Sequence, residues 1–466
     1  MTTAVWKLEL QLLLRNKLLL LALLVFGIVA IWSVENGRRW YQYQQAATDS
    51  LAVATQAGYN SVAAELDTLK PGSERTAVET PFTLDWRLKP VVSKPLSPLA
   101  VLTVGQADVL PLHKSARMTQ PIFSNDFDEF RNPMQLLAGS FDLGFFVLFL
   151  FPLLFIGLSY NLMSAEREQG IDRLWLVATR QRVQAALFSR LLFRWVAAWL
   201  PLSVALGYAV GWLQGQASPA PQLWQWLLAA ILYTGLWLSL GWLILSRGFS
   251  SMQNLVALLA SWLLLLVIVP GLFNTLQEAR DTGDTAVAIA EFRDIPEAAW
   301  NAPLDSHQRI TAERYPEYAK DTTGIVRQTM MRSYAYVGIT MQQERALHQQ
   351  MSQQILQQAD QQAAAFWVNP AAATLRSFSQ SAHTTAVQQV AFEQQVLAYK
   401  QQRFHHMWDN MILDSHYTRQ HLQQMPGAPA IQLAAGRQPW GPLLLWLALP
   451  AVLGALLNSR RRGAKA

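Results

Sequence analysis

Residues 136–160 read LLAGSFDLGFFVLFLFPLLFIGLSY and hold one charged side chain, Asp142. A helix needs about 20 mostly apolar residues to cross the ~30 Å hydrocarbon core of a bilayer. A run this long and this free of charge therefore reads as a membrane span. Five further runs read the same way: 18–34, 195–213, 223–245, 255–273 and 440–457. Over all 466 residues the chain is 52% hydrophobic and 15% charged, where a soluble chain carries about a quarter charged residues. The deficit is concentrated in the six runs. This excludes a simple soluble enzyme and predicts an all-α polytopic membrane protein with six transmembrane helices. The first run is a retained span, because no small-residue cleavage site follows it; Glu35, Arg38, Arg39 and Trp40 do. With no cysteine, disulfides, thiolate catalysis and thiolate metal sites are excluded.

Lys and Arg are retained on the cytoplasmic side of a membrane, so they set the direction of the threads. Residues 1–17 carry Lys7, Arg15 and Lys17 against Glu9. Residues 161–194 carry six Arg against Glu166, Glu168 and Asp172. Arg247 lies between the fourth and fifth spans, and the tail 458–466 holds Arg460, Arg461, Arg462 and Lys465. All four pieces are net positive, and they fall on one side if the spans alternate. Both termini are then cytoplasmic, and the chain is a multi-pass protein of a bacterial inner membrane. The long polar segments 35–135 and 274–439 lie together on the other side as a mostly helical outer domain. Segment 35–135 is expected to begin as a helical extension of the first span, with Trp40, Tyr41, Ala47, Leu51 and Ala54 at helical spacing. It then becomes extended around Pro71, Pro81, Pro90, Pro95, Pro98 and Pro111. Segment 274–439 is Gln-rich but striped: Leu347, Met351 and Ile355 recur every four residues within 341–366, and a second such stretch covers 386–407. The Asn369-Pro370 break is expected to separate these two helices.

Few residues invite chemistry. The chain has no GxxxxGK[ST] phosphate loop, GxSxG elbow or HExxH pair, so no catalytic residue is assigned and the chain reads as a non-enzyme. Asp142 is the one clear ionisable group inside a span, where ion-coupled carriers hold several. It reads better as a group near the outer headgroups or bonded to a neighbouring helix. His405, His406, Met407, Met411, His416, His421 and Met425 are of the soft and imidazole types that suit copper. On a helix, however, His405 and His406 point about 100° apart, and the remaining spacings build no single face. No metal ligand is assigned; the Met residues read as packing.

The most informative stretch follows the second span: Ser159-Tyr160-Asn161-Leu162-Met163-Ser164-Ala165-Glu166-Arg167-Glu168-Gln169-Gly170. An apolar helix leaves the bilayer, meets an acid-base-acid triplet and turns at Gly170. Beyond it, Leu174, Trp175 and Val177, followed by Arg180 and Arg182, read as a short amphipathic helix along the interface. A plain basic loop would explain the arginines but not the acidic pair. At the N-terminus, residues 5–12 read as an interfacial helix, with Trp6 and Leu10 on an apolar side and Lys7 and Gln11 on another.

The 159–170 stretch resembles the signature of permease subunits of type 2 ABC exporters, where a run similar to LSYNLLSAERERGTL joins the second and third spans. The subfamily it resembles has a large extracytoplasmic insert and is known for permeases of multicopper-enzyme maturation. Three further stretches fit that subfamily: 95–100 leading into 104–108, Asn132-Pro133 before 139–143, and 369–371 before Phe392 and Tyr399. Where the family continues Gly-Thr-Leu, this chain has Ile171 and Asp172. The resemblance implies a membrane subunit that binds no cofactor and works with a separate ATPase, in two copies, which holds the ATP and Mg. It implies pairing with a second permease, identical or homologous, and contact with membrane lipids and an extracytoplasmic partner, with no nucleic acid involved. It implies that Glu166, Arg167, Glu168, Gly170, Leu174, Trp175 and Arg180 form the coupling element. The substrate would be exported or rearranged outside. Two other readings stand beside it: a mechanical transducer acting on an outer partner without solute transport, and a membrane-anchored scaffold.

Overall fold

A computed structural model of the protein describes residues 2–68, 80–123, 140–171, 183–215, 220–278, 284–413, 417–433 and 436–463. Five of its helices are long and apolar enough to cross a membrane: Lys17–Asp67, Leu143–Glu168, Val183–Leu213, Pro221–Leu245 and Ser251–Phe273. The sixth run is also helical, but its apolar part, Trp440–Leu456, is shorter. Side-chain contacts give the directions. Tyr208 reaches Glu35 and Tyr41 packs on Trp212, so the first and third helices run parallel. Gln225 meets Gln438 and Trp242 meets Gly454, so the fourth and sixth do too. Trp199 bonds Thr234 while Phe188 packs on Trp242, which sets the third against the fourth. This alternation gathers the two long polar segments at one end of the bundle.

Several boundaries differ from the expectation. The second span begins at Leu143, because the Asp142 carboxylate caps it by accepting the Phe145 N–H at 2.8 Å; residues 136–139 lie outside the described residues. The third begins at Val183, not at residue 195, so Arg190 and Arg194 belong to a buried helix face and not to a loop. The first helix continues as expected past the span, over Lys17–Thr68. Its 52 residues reach about 78 Å at 1.5 Å per residue.

The second and fifth helices each contain a wide π turn, Phe146–Leu150 and Leu264–Ile268, shortly before Pro152 and Pro270. Proline has no N–H and leaves the carbonyl four residues back without its helical partner. For Pro152 that carbonyl is Leu148, and the Tyr233 hydroxyl donates to it at 2.8 Å. The Trp262 indole donates to the next carbonyl, Phe149, at 3.1 Å. Neighbouring helices thus satisfy the freed backbone, as an apolar environment demands.

The lobe that the two polar segments form at that end of the bundle, labelled the outer lobe after the sequence expectation, is not purely helical. Strands Val91–Ser93 and His113–Ser115 pair antiparallel, with Val92 opposite Lys114. The Pro-rich stretch also forms a helix, Pro81–Leu88, because proline suits the first helical turn and Thr80 caps it. Short 3-10 turns follow at Pro98–Val101 and Gly105–Asp108. In the second polar segment the Gln-rich stretch is one long helix, Ile325–Ala365. The Asn369-Pro370 break leads not into the second striped helix but into a short intervening one, Pro370–Ser381, capped by Asn369. Ala386–Leu413 comes after it. The two polar segments share a core: Val62, Leu84, Leu88 and Met118 from the first pack with Tyr334, Phe404, Met407 and Trp408 from the second.

Candidate functional site

The acid-base-acid triplet lies on a single helical turn, Ser164–Glu168, at the end of the second span. Gly170 ends it with φ of +75°, a left-handed conformation that glycine adopts without penalty. Its N–H reaches the Arg167 carbonyl, and the Ile171 N–H reaches that of Glu166, which closes the turn's last carbonyls.

Each member of the triplet is held by a different neighbour. Arg190 of the third helix donates to Glu166 at 2.8 Å through Nη1 and to Glu9 at 2.5 Å through Nε. Arg194, one turn on, donates to the other Glu9 oxygen at 2.9 Å. Arg167 donates to the Phe249 carbonyl at 2.6 Å. Glu168 accepts from the Ser251 N–H at 2.7 Å and from its hydroxyl at 3.1 Å. Ser251 begins the fifth helix, and its hydroxyl also lies within hydrogen-bond distance of that of Ser164, at 2.9 Å. One turn is thereby tied to the N-terminal helix Thr2–Arg15, to the third helix and to the fifth.

Glu9 is fully buried, and Arg190 and Arg194 nearly so. Burial of one such charge alone would cost several kcal/mol. Here two carboxylates face two guanidiniums, so the cluster is neutral. Among the described side chains of the N-terminal helix, Val5, Glu9 and Leu13 are buried, four residues apart on one face. The expected apolar side of this helix therefore carries an acid at its centre. Trp6 packs edge-on against Phe193 at 5.7 Å, while Lys7 and Leu10 are exposed. Leu174, Trp175 and Arg180 lie outside the described residues.

At the opposite end of the bundle, Asp142 is no isolated intramembrane charge. Beside capping its own helix it accepts the Val104 N–H at 2.8 Å, and the Gly144 N–H reaches the Leu102 carbonyl at 2.9 Å. Asn36 of the first helix donates to the Phe141 carbonyl at 3.0 Å. Gly37 approaches Val101 so closely that a Cβ there would stand 2.1 Å from its carbonyl oxygen. The Trp226 indole donates to Thr103 at 2.9 Å and its ring stacks on Phe378, with centroids 4.5 Å apart. Stretches 98–108, 140–144 and 370–381 thus meet on the outer ends of the spans.

The His/Met stretch packs inward. Met407, Met411 and Met425 are buried in the outer core, and His406 bonds the His421 carbonyl at 2.7 Å; His416 lies outside the described residues. His405 faces a cleft of about 380 Å³ with Arg345, Gln401 and Phe404.

Sequence reasoning missed Glu9, Arg190, Arg194 and Ser251. An acid at the centre of an otherwise apolar helix face, and two arginines four residues apart just before a span, were the available signals. Residues 284–427 match a family model described as Domain of unknown function (DUF3526). Nothing among curated proteins or among solved structures matches the chain.

Proposed function

We propose that this chain is the membrane subunit of an ATP-driven export complex, with six spans, both termini in the cytoplasm and the ATPase in a separate polypeptide. The carrying observation is the arrangement of the Ser164–Glu168 turn, whose charges are tied to three other helices at the end of the bundle opposite the outer lobe. A partner that pushes this turn moves the N-terminal helix and the second, third and fifth helices as one body. Glu166 and Glu168 keep part of their surface exposed, where a basic partner face could meet them. The resemblance of 159–170 to exporter permeases supports the same reading, as does the absence of a phosphate loop from the sequence.

A second reading, mechanical transduction to an outer partner without solute transport, is favoured by the outer junction. Asp142, Thr103, Trp226 and Phe378 join the spans to the outer lobe through short, buried contacts, so displacement of the second or fourth span reaches the lobe directly.

The test is purification of the full chain in mild detergent from its native membrane. Co-elution of an ATPase whose hydrolysis rate falls with Glu166→Lys/Glu168→Lys is expected. Repeated absence of any ATPase overturns the proposal and leaves a membrane-anchored scaffold. Given co-elution, accumulation of a solute outside vesicles separates export from transduction.

A further inference from the structure

The outer lobe carries an apolar tip in an unexpected place. The long helix Ile325–Ala365 is polar over its last turns, with Gln357, Gln358, Asp360, Gln361 and Gln362. It ends abruptly in Phe366-Trp367-Val368, and Asn369-Pro370 then reverses the chain into Pro370–Ser381. Trp367 and Val368 are each 51% exposed, and Leu375 on the returning helix is 45% exposed. Three large apolar side chains left in water on an otherwise Gln-rich hairpin would be costly, at roughly 25 cal/mol per Å².

Their neighbours say where the tip lies. The Trp446 indole of the sixth apolar helix donates to the Trp367 carbonyl at 3.0 Å. Trp446 lies six residues into a helix that starts at Trp440, about 9 Å along its axis. The Trp367 ring also sits against Gly441, and Leu444 and Leu445 beside it are exposed on the same helix. Higher up the returning helix, the Ser377 hydroxyl donates to Gln438, which in turn reaches Gln225. Both glutamines stand at the outer ends of their apolar helices. Residue 377 is thus level with the start of the sixth apolar helix, while the Trp367 carbonyl meets a side chain from further along it. Arg376, at the upper level, has no acidic partner among the described residues.

We infer that residues 366–381 are a re-entrant element of the outer lobe, with Trp367, Val368 and Leu375 packed on phospholipid acyl chains and Arg376 held by a phospholipid phosphate. The inference requires that the apolar helices cross a bilayer; it does not depend on an ATPase partner. Irregular backbone at this depth is tolerated where it is buried in protein: Asn369, Pro370 and Thr374 are buried, and Ala371, Ala373 and Phe378 of the same helix pack in the core of the apolar helices. Part of the segment expected to lie wholly outside the membrane is therefore within it. The element is continuous with the Trp226–Phe378 stack, which links lipid contact to the outer junction.

The chain has no cysteine, so single nitroxide labels can be placed on the full-length protein in phosphatidylglycerol-containing vesicles. Labels at Val368→Cys and Leu375→Cys should relax more with oxygen than with a water-soluble nickel chelate, as one at Leu444→Cys on the span does. A label at Ile325→Cys, which is 80% exposed at the far end of the long helix, should show the reverse. If Val368→Cys or Leu375→Cys follows Ile325→Cys, the re-entrant placement is wrong. Native mass spectrometry should then show a retained phosphatidylglycerol that is lost in Arg376→Gln, kept in Arg376→Lys and not displaced by inorganic phosphate. Retention in Arg376→Gln, or displacement by phosphate, overturns the headgroup assignment.

Discussion

The two ends of the helix bundle are built from opposite materials. At one end the buried Glu9, Arg190 and Arg194 and the partly exposed Glu166 form a neutral cluster of charges, held by side chains. At the other, aromatic stacking, a close backbone approach and hydrogen bonds to main-chain groups join the spans to the outer lobe through Trp226, Phe378, Gly37 and Asp142. Charge pairs can exchange partners, because each arginine has several donors and each carboxylate two oxygens. Arg190 already divides its donors between two acids. The outer junction has no such alternatives: Val101 meets Gly37 backbone to backbone. The charged end thus holds its helices together through side-chain pairs, and the other end through backbone packing.

The comparison can be broken most forcefully at Glu9. Glu9→Leu leaves two buried guanidiniums short of a counter-charge and should cost about 3–5 kcal/mol, read as a lowered unfolding temperature in detergent. Adding Arg190→Met and Arg194→Met should recover most of that loss. No recovery would mean that the cluster is not an electrostatic unit.

The outer lobe offers a pH test. Burial pulls the Lys94 ammonium down to about 8, against a smaller opposing pull from Glu393. In the unfolded chain the same group titrates near 10.4. Between these values the unfolded state binds more protons, so stability rises with pH across the window, on the order of 3 kcal/mol for this group. Below about pH 8 both states are protonated and the contribution is flat. Unfolding of Lys94→Met compared with the parent across pH 8–10 should show this slope only in the parent.

Gly37→Ala sharpens the claim of rigidity. Its methyl group would have to displace the Val101 backbone, an overpacking cost of about 1–3 kcal/mol, and labels on the outer lobe should report a displacement. An unperturbed lobe would show that the junction yields. The smallest effect belongs to Glu168→Gln. This exposed side chain caps the fifth helix at Ser251, and its loss should cost under about 1 kcal/mol of stability. A large effect on ATP hydrolysis by the proposed complex would then reflect the partner and not the fold.

The spans were legible because lipid imposes a one-dimensional rule: enough consecutive apolar residues make a helix, whatever they pack against. The continuation of the first helix through Ala47, Leu51 and Ala54 was legible for a similar reason, since its period is local. Boundaries were harder. Asp142 starts its helix by capping Phe145, but its other oxygen is taken by Val104, brought to it from 38 residues away. The turn at Glu166 was visible as an acidic oddity among arginines, but its partners were not, because Glu9 and Arg190 stand 181 residues apart.

Sequence by itself determined the membrane character, the helical class and the separation of basic loops from long polar segments, because these follow from transfer free energies that each residue carries alone. Only the tertiary structure decided which charges are buried together, which stretches of the outer lobe meet at Trp226, and that an apolar tip at Trp367 returns to the spans. Those outcomes depend on pairs of distant residues, and a pair's energy exists only once the fold has brought its members into contact.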